Sequence, residues 1–204
     1  MNMQLFKTIA ASFLLLVSVM LNAQQSLKVD ASDSKVNWSG KSPTGEHLGY
    51  IKLTDGELIV DKGEIKGGKF NFDMNSITNT DISDAESRNK LVTHLKSVDF
   101  FDVQKFPTAK FVITKVSKLN NGSTGQLKAT HRVEGDLTIK GITKKISFDA
   151  SINLLNGKFA ASAPAFIINR TEWGVNYQSK SIIAGLKDEF IYDDITVSIE
   201  LVSN

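Results

Sequence analysis

The sequence predicts an all-β domain of about eight antiparallel strands with one short inserted helix. Three observations lead there. Apolar and polar residues alternate with a period of two along most of the chain. Turn chemistry separates the alternating runs. One stretch alone carries a helical spacing.

The alternation is read directly. Val36 and Trp38 flank Asn37, and Phe70, Phe72 and Met74 alternate with Asn71 and Asp73. Leu137 and Ile139 follow the same rule, as do Ile146, Phe148, Ala150 and Ile152, and then Ile195, Val197, Ile199 and Leu201. Each run gives a strand with one apolar and one wet face, the pattern of antiparallel rather than buried parallel sheets. Asp55-Gly56 and Asn156-Gly157 read as tight hairpin turns, because such pairs tolerate positive φ. Gly67-Gly68 and Asn120-Asn121-Gly122 read as two further turns. The three prolines, Pro43, Pro107 and Pro164, fall at strand edges or loops. From Ser83 to about Ser97 the period changes. Ser83 and Glu86 have capping-box spacing, and Leu91 and Leu95 share a helix face. Eight antiparallel strands close as a barrel or split as a sandwich.

At the N-terminus, Lys7 precedes an apolar run from Ile9 to Leu21. That run is shorter than the ~20 residues a spanning helix needs. With Ala23 after it, the segment reads as a signal peptide, residues 1–23, followed by one barrel domain, residues 24–204. No later segment is apolar enough to span a membrane, so the expectation is a periplasmic or secreted protein. The formal net charge is +2. Near neutrality and scattered lysines leave no footprint for nucleic acid. With no cysteine, disulfides, thiol catalysis and Cys-ligated metal are excluded.

The catalytic inventory is thin. The three histidines, His47, His94 and His131, match no metal-ligand spacing. The serines lack a nucleophile elbow, and no glycine-rich phosphate loop occurs. The apolar inventory is rich: 12 phenylalanines stand against three tyrosines. Composition alone leans to a filled core; the alternative is a lining that faces a cavity. Burying ~10 methylenes of a ligand gives ~8 kcal/mol gross, opposed by ~4–15 kcal/mol of lost freedom. Useful affinity therefore calls for a long chain and a preformed tunnel.

Three ordered motifs carry a family resemblance. They are Leu95-Lys-Ser-Val-Asp-Phe-Phe-Asp-Val-Gln-Lys-Phe-Pro-Thr-Ala-Lys-Phe111, then Gly135-Asp-Leu-Thr-Ile-Lys-Gly-Ile-Thr-Lys-Lys-Ile-Ser-Phe148, then Ile168-Asn-Arg-Thr-Glu-Trp-Gly174, with His47-Leu48-Gly49 upstream. With them the chain resembles the YceI family, lipocalin-like isoprenoid-binding proteins of bacteria, from about Val29 to Val202. The chain departs from the family pattern over Trp38–Glu46, with Trp38 where an aliphatic or Phe is commoner.

The resemblance implies an extended eight-stranded antiparallel lipocalin-like barrel with a short inserted helix. It further implies a tunnel for a polyisoprenoid, quinone-like or fatty chain, with no cofactor, no metal and no catalytic residues. The tunnel-lining candidates are Trp38, Phe70, Phe72, Met74, Phe100, Phe101, Phe106, Phe111, Phe148, Phe166, Ile168 and Trp173. His47, Asp99, Asn169 and Arg170 are candidates for contacting a head group or anchoring loops. Arg170 either holds its turn to a carboxylate or meets the head group. A lipid-modifying enzyme in the same barrel and a ligand-free stress or interaction protein with a filled core are the alternatives. A homodimer is left open.

Overall fold

The computed structural model describes residues 24–119 and 128–204. The expected signal segment and the Asn120-Asn121-Gly122 turn lie outside the described residues. In chain order the elements are β1 (Gln25–Lys28), β2 (Lys35–Ser42), β3 (Gly45–Asp61), β4 (Glu64–Asp73), α1 (Ala85–Lys96), β5 (Thr108–Lys118), β6 (His131–Ile139), β7 (Ile142–Leu155), β8 (Lys158–Asn169) and β9 (Asp194–Val202). Short 3-10 turns occupy Met74–Ser76 and Arg170–Trp173. No helix among the described residues is long and apolar enough to cross a membrane.

The sheet runs β1-β3-β2-β9-β8-β7-β6-β5-β4, and β4 returns to β3, so it closes. β1 and β2 lie along consecutive stretches of β3: Gln25–Lys28 opposite Glu57–Val60, and Lys35–Ser42 opposite Gly45–Lys52. They are two pieces of one stave, joined to the chain's end by the Val29–Ser203 bridge. The wall therefore has eight staves, as the periodicity predicts, and is a barrel rather than a sandwich. The first stave is held at its foot by Glu57, which accepts from Ser26 and Lys28 and pairs with Lys69.

Two expected turns are strand interiors instead. Asp55-Gly56 lies inside β3 at a register shift between Leu53 and Asp55. A Cβ on Gly56 would stand 2.7 Å from the Phe70 ring, so glycine here serves close packing and the strand bends without reversing. Gly67-Gly68 likewise lies inside β4. The tight turns are Lys62-Gly63, Lys140-Gly141 and the expected Asn156-Gly157, each with positive φ at both residues, as a type I′ turn requires. Pro164 falls at the β8 register shift between Ala163 and Phe166.

The inserted helix is present, one residue later than its sequence signature. Asp84, not Ser83, is the N-cap and accepts from the Ser87 amide at 2.8 Å. The Ser83 carbonyl accepts from Arg88 Nη1. No residue of α1 is fully buried, so the helix rests on the rim of the barrel and not in its core.

The core fills one half of the barrel. Leu27, Leu58, Val60, Val133, Phe159 and Leu201 pack there with neighbours on every stave. This is the end that carries the Lys62-Gly63 and Asn156-Gly157 turns. The opposite end carries α1, the β2–β3 and β6–β7 turns, and the long segment between β8 and β9.

Candidate ligand-binding site

Above the packed half, the inward positions of the same strands leave an apolar cavity of about 570 Å³. Alternation sets the wall. Trp38 on β2, Ile51 on β3, Phe72 on β4, Ile139 on β6, Ile146 on β7 and Ile168 on β8 all face it. The floor is aromatic. Phe148 stacks on Phe166 with centroids 4.5 Å apart, and Phe111 leans on Phe148 at 5.7 Å. These three rings line the cavity and also belong to, or pack against, the core beneath it. The cavity thus occupies one half of the barrel, and the expected tunnel does not continue through the packed half. Its lower course is filled with side chains.

The mouth is framed by Lys41, Ser42, Thr44, Gly45 and His47, by Leu91 and Leu95 of α1, and, in the segment after β8, by Gln178 and the run from Asp188 to Tyr192. His47 Nδ1 meets Asp81 Oδ2 at 2.8 Å. Asp81 also accepts from the Leu48 amide and the Asn79 side chain. Burial works to raise the Asp81 carboxyl, but these hydrogen bonds, the Leu48 amide first, outweigh it and hold the group below its ordinary value.

The Asn-Arg-Thr-Glu-Trp-Gly motif builds the rim. Asn169 caps the 3-10 turn by accepting from Thr171 N at 3.0 Å. Gly174 ends it with φ of 70°. Trp173, 1% exposed, donates its indole N–H to Leu137 O at 3.0 Å and so ties the turn to β6. Arg170, 3% exposed, gives Nε to Tyr192 O, Nη1 to Val175 O and Nη2 to Ile191 O, at 3.2, 2.7 and 3.1 Å. Asp193 stands 3.7 Å from it and accepts from Ser179 Oγ and Ser181 N. Burial pulls the Arg170 guanidinium below its ordinary value, and the Asp193 charge opposes this. Three of its donors thus hold carbonyls between β8 and β9. Arg170 is therefore a rivet for the rim, although its side chain also borders the cavity.

Trp38 sits opposite Gly49 in the β2–β3 ladder. A Cβ on Gly49 would come within 2.6 Å of the indole and 1.9 Å of Thr78 O, so only glycine fits beneath this ring. The buried indole N–H of Trp38 has no hydrogen-bond partner among the described residues.

Of the candidates named from sequence, Trp38, Phe72, Met74, Phe100, Phe101, Phe111, Phe148, Phe166, Ile168, Trp173, His47 and Arg170 border the cavity. Four do not. Phe70 shares the inward face of β4 with Phe72 but lies below the floor, 4% exposed in the packed half. Phe106 covers the β6–β7 turn, where its ring stands 3.1 Å from the Cβ position of Gly141. Asp99 is exposed and meets His94 Nε2 at 3.1 Å. Asn169 is the cap described above. Leu91, Leu95, Ile77 and Val175 line the cavity without having been named. The Leu91/Leu95 spacing marked a helix face, but not which surface that face covers.

The YceI-like domain model matches residues 27–203. The chain belongs to the YceI-like family. Among curated YceI-like relatives, a UPF0312 protein of Pseudomonas putida (strain W619) is 35% identical over 157 residues, covering 72% of this chain and 73% of its own length. A UPF0312 protein of Shewanella denitrificans is 32% identical over 132 residues, 60% of this chain and 63% of its own. Among solved structures, Burkholderia cenocepacia BcnA superposes with a TM-score of 0.65 at 19% identity, over 86% of this chain and 99% of its own. A polyisoprenoid binding domain from Saccharophagus degradans superposes with a TM-score of 0.60 at 13% identity, over 88% and 98%. At such identities these structures bear on the YceI-like fold alone, and they agree with the lipocalin-like barrel expected from the three motifs.

Proposed function

We propose that this YceI-like protein is an exported carrier that holds one long apolar molecule in the open half of its barrel. The ligand class is a polyisoprenoid, quinone-like or fatty chain, kept from water for sequestration or transport. The observation that carries the reading is the pocket of about 570 Å³, walled by aliphatic and aromatic side chains and floored by three phenylalanines. That volume is within the range of preformed small-molecule sites, which run ~300–1,000 Å³. The Saccharophagus degradans neighbour is a polyisoprenoid binding domain by name, which supports the ligand class. The reading is of a binding protein and not an enzyme. Two polar groups at the mouth are committed to the frame: Asp81 to the Leu48 amide and His47, and Arg170 to three carbonyls.

Native mass spectrometry of the purified protein, followed by lipid extraction, tests it. The expected result is a single co-purifying long-chain molecule, or uptake of one equivalent of a prenyl or fatty chain by delipidated protein. Purified protein that carries no lipid and takes up neither chain would sink the reading.

A further inference from the structure

Large hydrophobic side chains are exposed unevenly on this barrel. Two stand apart from the mouth: Leu155, on the β7–β8 turn at the packed end, and Ile167, on the outward face of β8. At the mouth end stand Leu48 near the start of β3, Val98 just after α1, Ile142 at the β6–β7 turn, and the adjacent pair Ile182 and Ile183 in the segment between β8 and β9. Val98 is 72% exposed and Ile182 53%. They rise from four separate elements around the opening of an apolar pocket.

The two tips that carry isoleucine also carry lysine. Exposed Lys144 and Lys145 follow Ile142, and exposed Lys180 and Lys187 bracket Ile182-Ile183. The β6–β7 turn abuts the start of the second segment: Lys140 Nζ reaches Gly174 O at 3.4 Å, and Ile142 Cδ1 lies 3.5 Å from the Cβ position of Gly174. The nearby carboxylates are Asp188 and Glu189, which border the pocket, Asp136, 3.7 Å from Lys145, exposed Glu172, and Asp193, which accepts from Ser179 and Ser181 and stands 3.7 Å from Arg170.

We propose that the mouth end docks on a lipid bilayer that contains anionic lipid, which brings the pocket opening to the acyl chains. Aliphatic side chains on separate projections suit a fluid surface, into which each sinks independently. A protein partner would instead call for one closely packed patch. Lysines beside the isoleucines match anionic head groups while their stems stay apolar. The proposal goes beyond the carrier reading, because vesicle binding is measured whether or not the pocket is filled.

The test is flotation of the full chain with vesicles of phosphatidylethanolamine and phosphatidylglycerol, and with vesicles of phosphatidylcholine alone. The wild type is expected to float with the mixed vesicles. The double variant Ile182→Ser/Ile183→Ser should bind at least about tenfold more weakly, with its unfolding midpoint unchanged because both side chains are exposed. Lys180→Gln/Lys187→Gln should weaken binding to the anionic vesicles only, and Leu155→Ser should change nothing. Wild type that floats with neither vesicle, a double isoleucine variant that floats like wild type, or an equal loss in Leu155→Ser would each overturn the proposal. Lipid extraction of the same samples separates the two ideas. Vesicle binding without any cargo would end the carrier reading and leave docking standing.

Discussion

Phe148 lies flat on Phe166, centroids 4.5 Å apart and planes within 7°, and this stack divides the barrel into a packed half and an open one. Below it the inward side chains meet one another. Above it they meet a cavity. Two phenylalanines on the same face of one strand then have different duties.

Phe70 and Phe72 are that pair. Phe70→Ala should cost ~3–5 kcal/mol, since it empties a site in the packed half. Phe72→Ala enlarges a space that already exists and should cost clearly less, while lowering the amount of bound long-chain ligand. Denaturant unfolding and lipid extraction of both variants check this. Equal destabilisation by the two changes would mean that the stack is no boundary.

Arg170→Met should cost about 3 kcal/mol, because it strands three carbonyls and the Asp193 carboxylate in a buried place. The loss should be local first. Hydrogen exchange is expected to rise at the Ser181 and Ile191 amides, which bond to Asp193 and to Gln178 O. Amides of β6 and β7 in the packed half should keep their protection. Uniform loss across the barrel would argue against a rivet confined to the rim.

Gly49→Ala should destabilise by ~1–3 kcal/mol and disturb the indole emission of Trp38, since the new methyl overlaps both the ring and Thr78 O. Removing the ring as well, in Gly49→Ala/Trp38→Ala, should not restore stability, because the backbone carbonyl stays in place. Full rescue by the second change would show that the ring alone imposes the glycine.

Acid should loosen the first stave at Glu57. Hydrogen bonds from Lys28, then Ser26 and Lys69, pull its carboxyl from 4.5 to about 2. The folded value is the lower one, so the contribution is fully present above pH ~4.5 and is lost as pH falls toward 2. Unfolding midpoints of wild type and Glu57→Gln should differ at pH 6 and converge near pH 2. A difference that persists unchanged to pH 2 would place the effect elsewhere.

The sequence displays the barrel well because each strand carries its own alternation: β7 and β9 can be read without knowing their partners. The family motifs are legible for a related reason. Asn169, Arg170, Trp173 and Gly174 solve one local problem, a capped turn riveted to its surroundings, with residues few others replace. What stays hidden is depth. Phe70 and Phe72 have the same parity and chemistry, and only the height of the floor separates them. Glycine is ambiguous in the same way: Gly56 and Gly157 look alike in sequence, yet one lets a ring approach and the other reverses the chain. Phe106 and Asp99 sit in a strong motif, but the motif builds a covering loop as well as a lining. The mouth segment from Gln178 to Tyr192 has no periodicity, since its shape is set by Arg170 and Asp193 from outside it.

The pairing of β2 with β9, Lys35 opposite Glu200 through Gly40 opposite Ile195, joins the earliest wall of the barrel to the latest. A chain delivered from its N-terminus has no closed pocket until β9 arrives. The wall of the pocket is consequently completed only by the last strand of the chain. An interrupted chain that lacks β9 is left with two unpaired strand edges, exposed to neighbours.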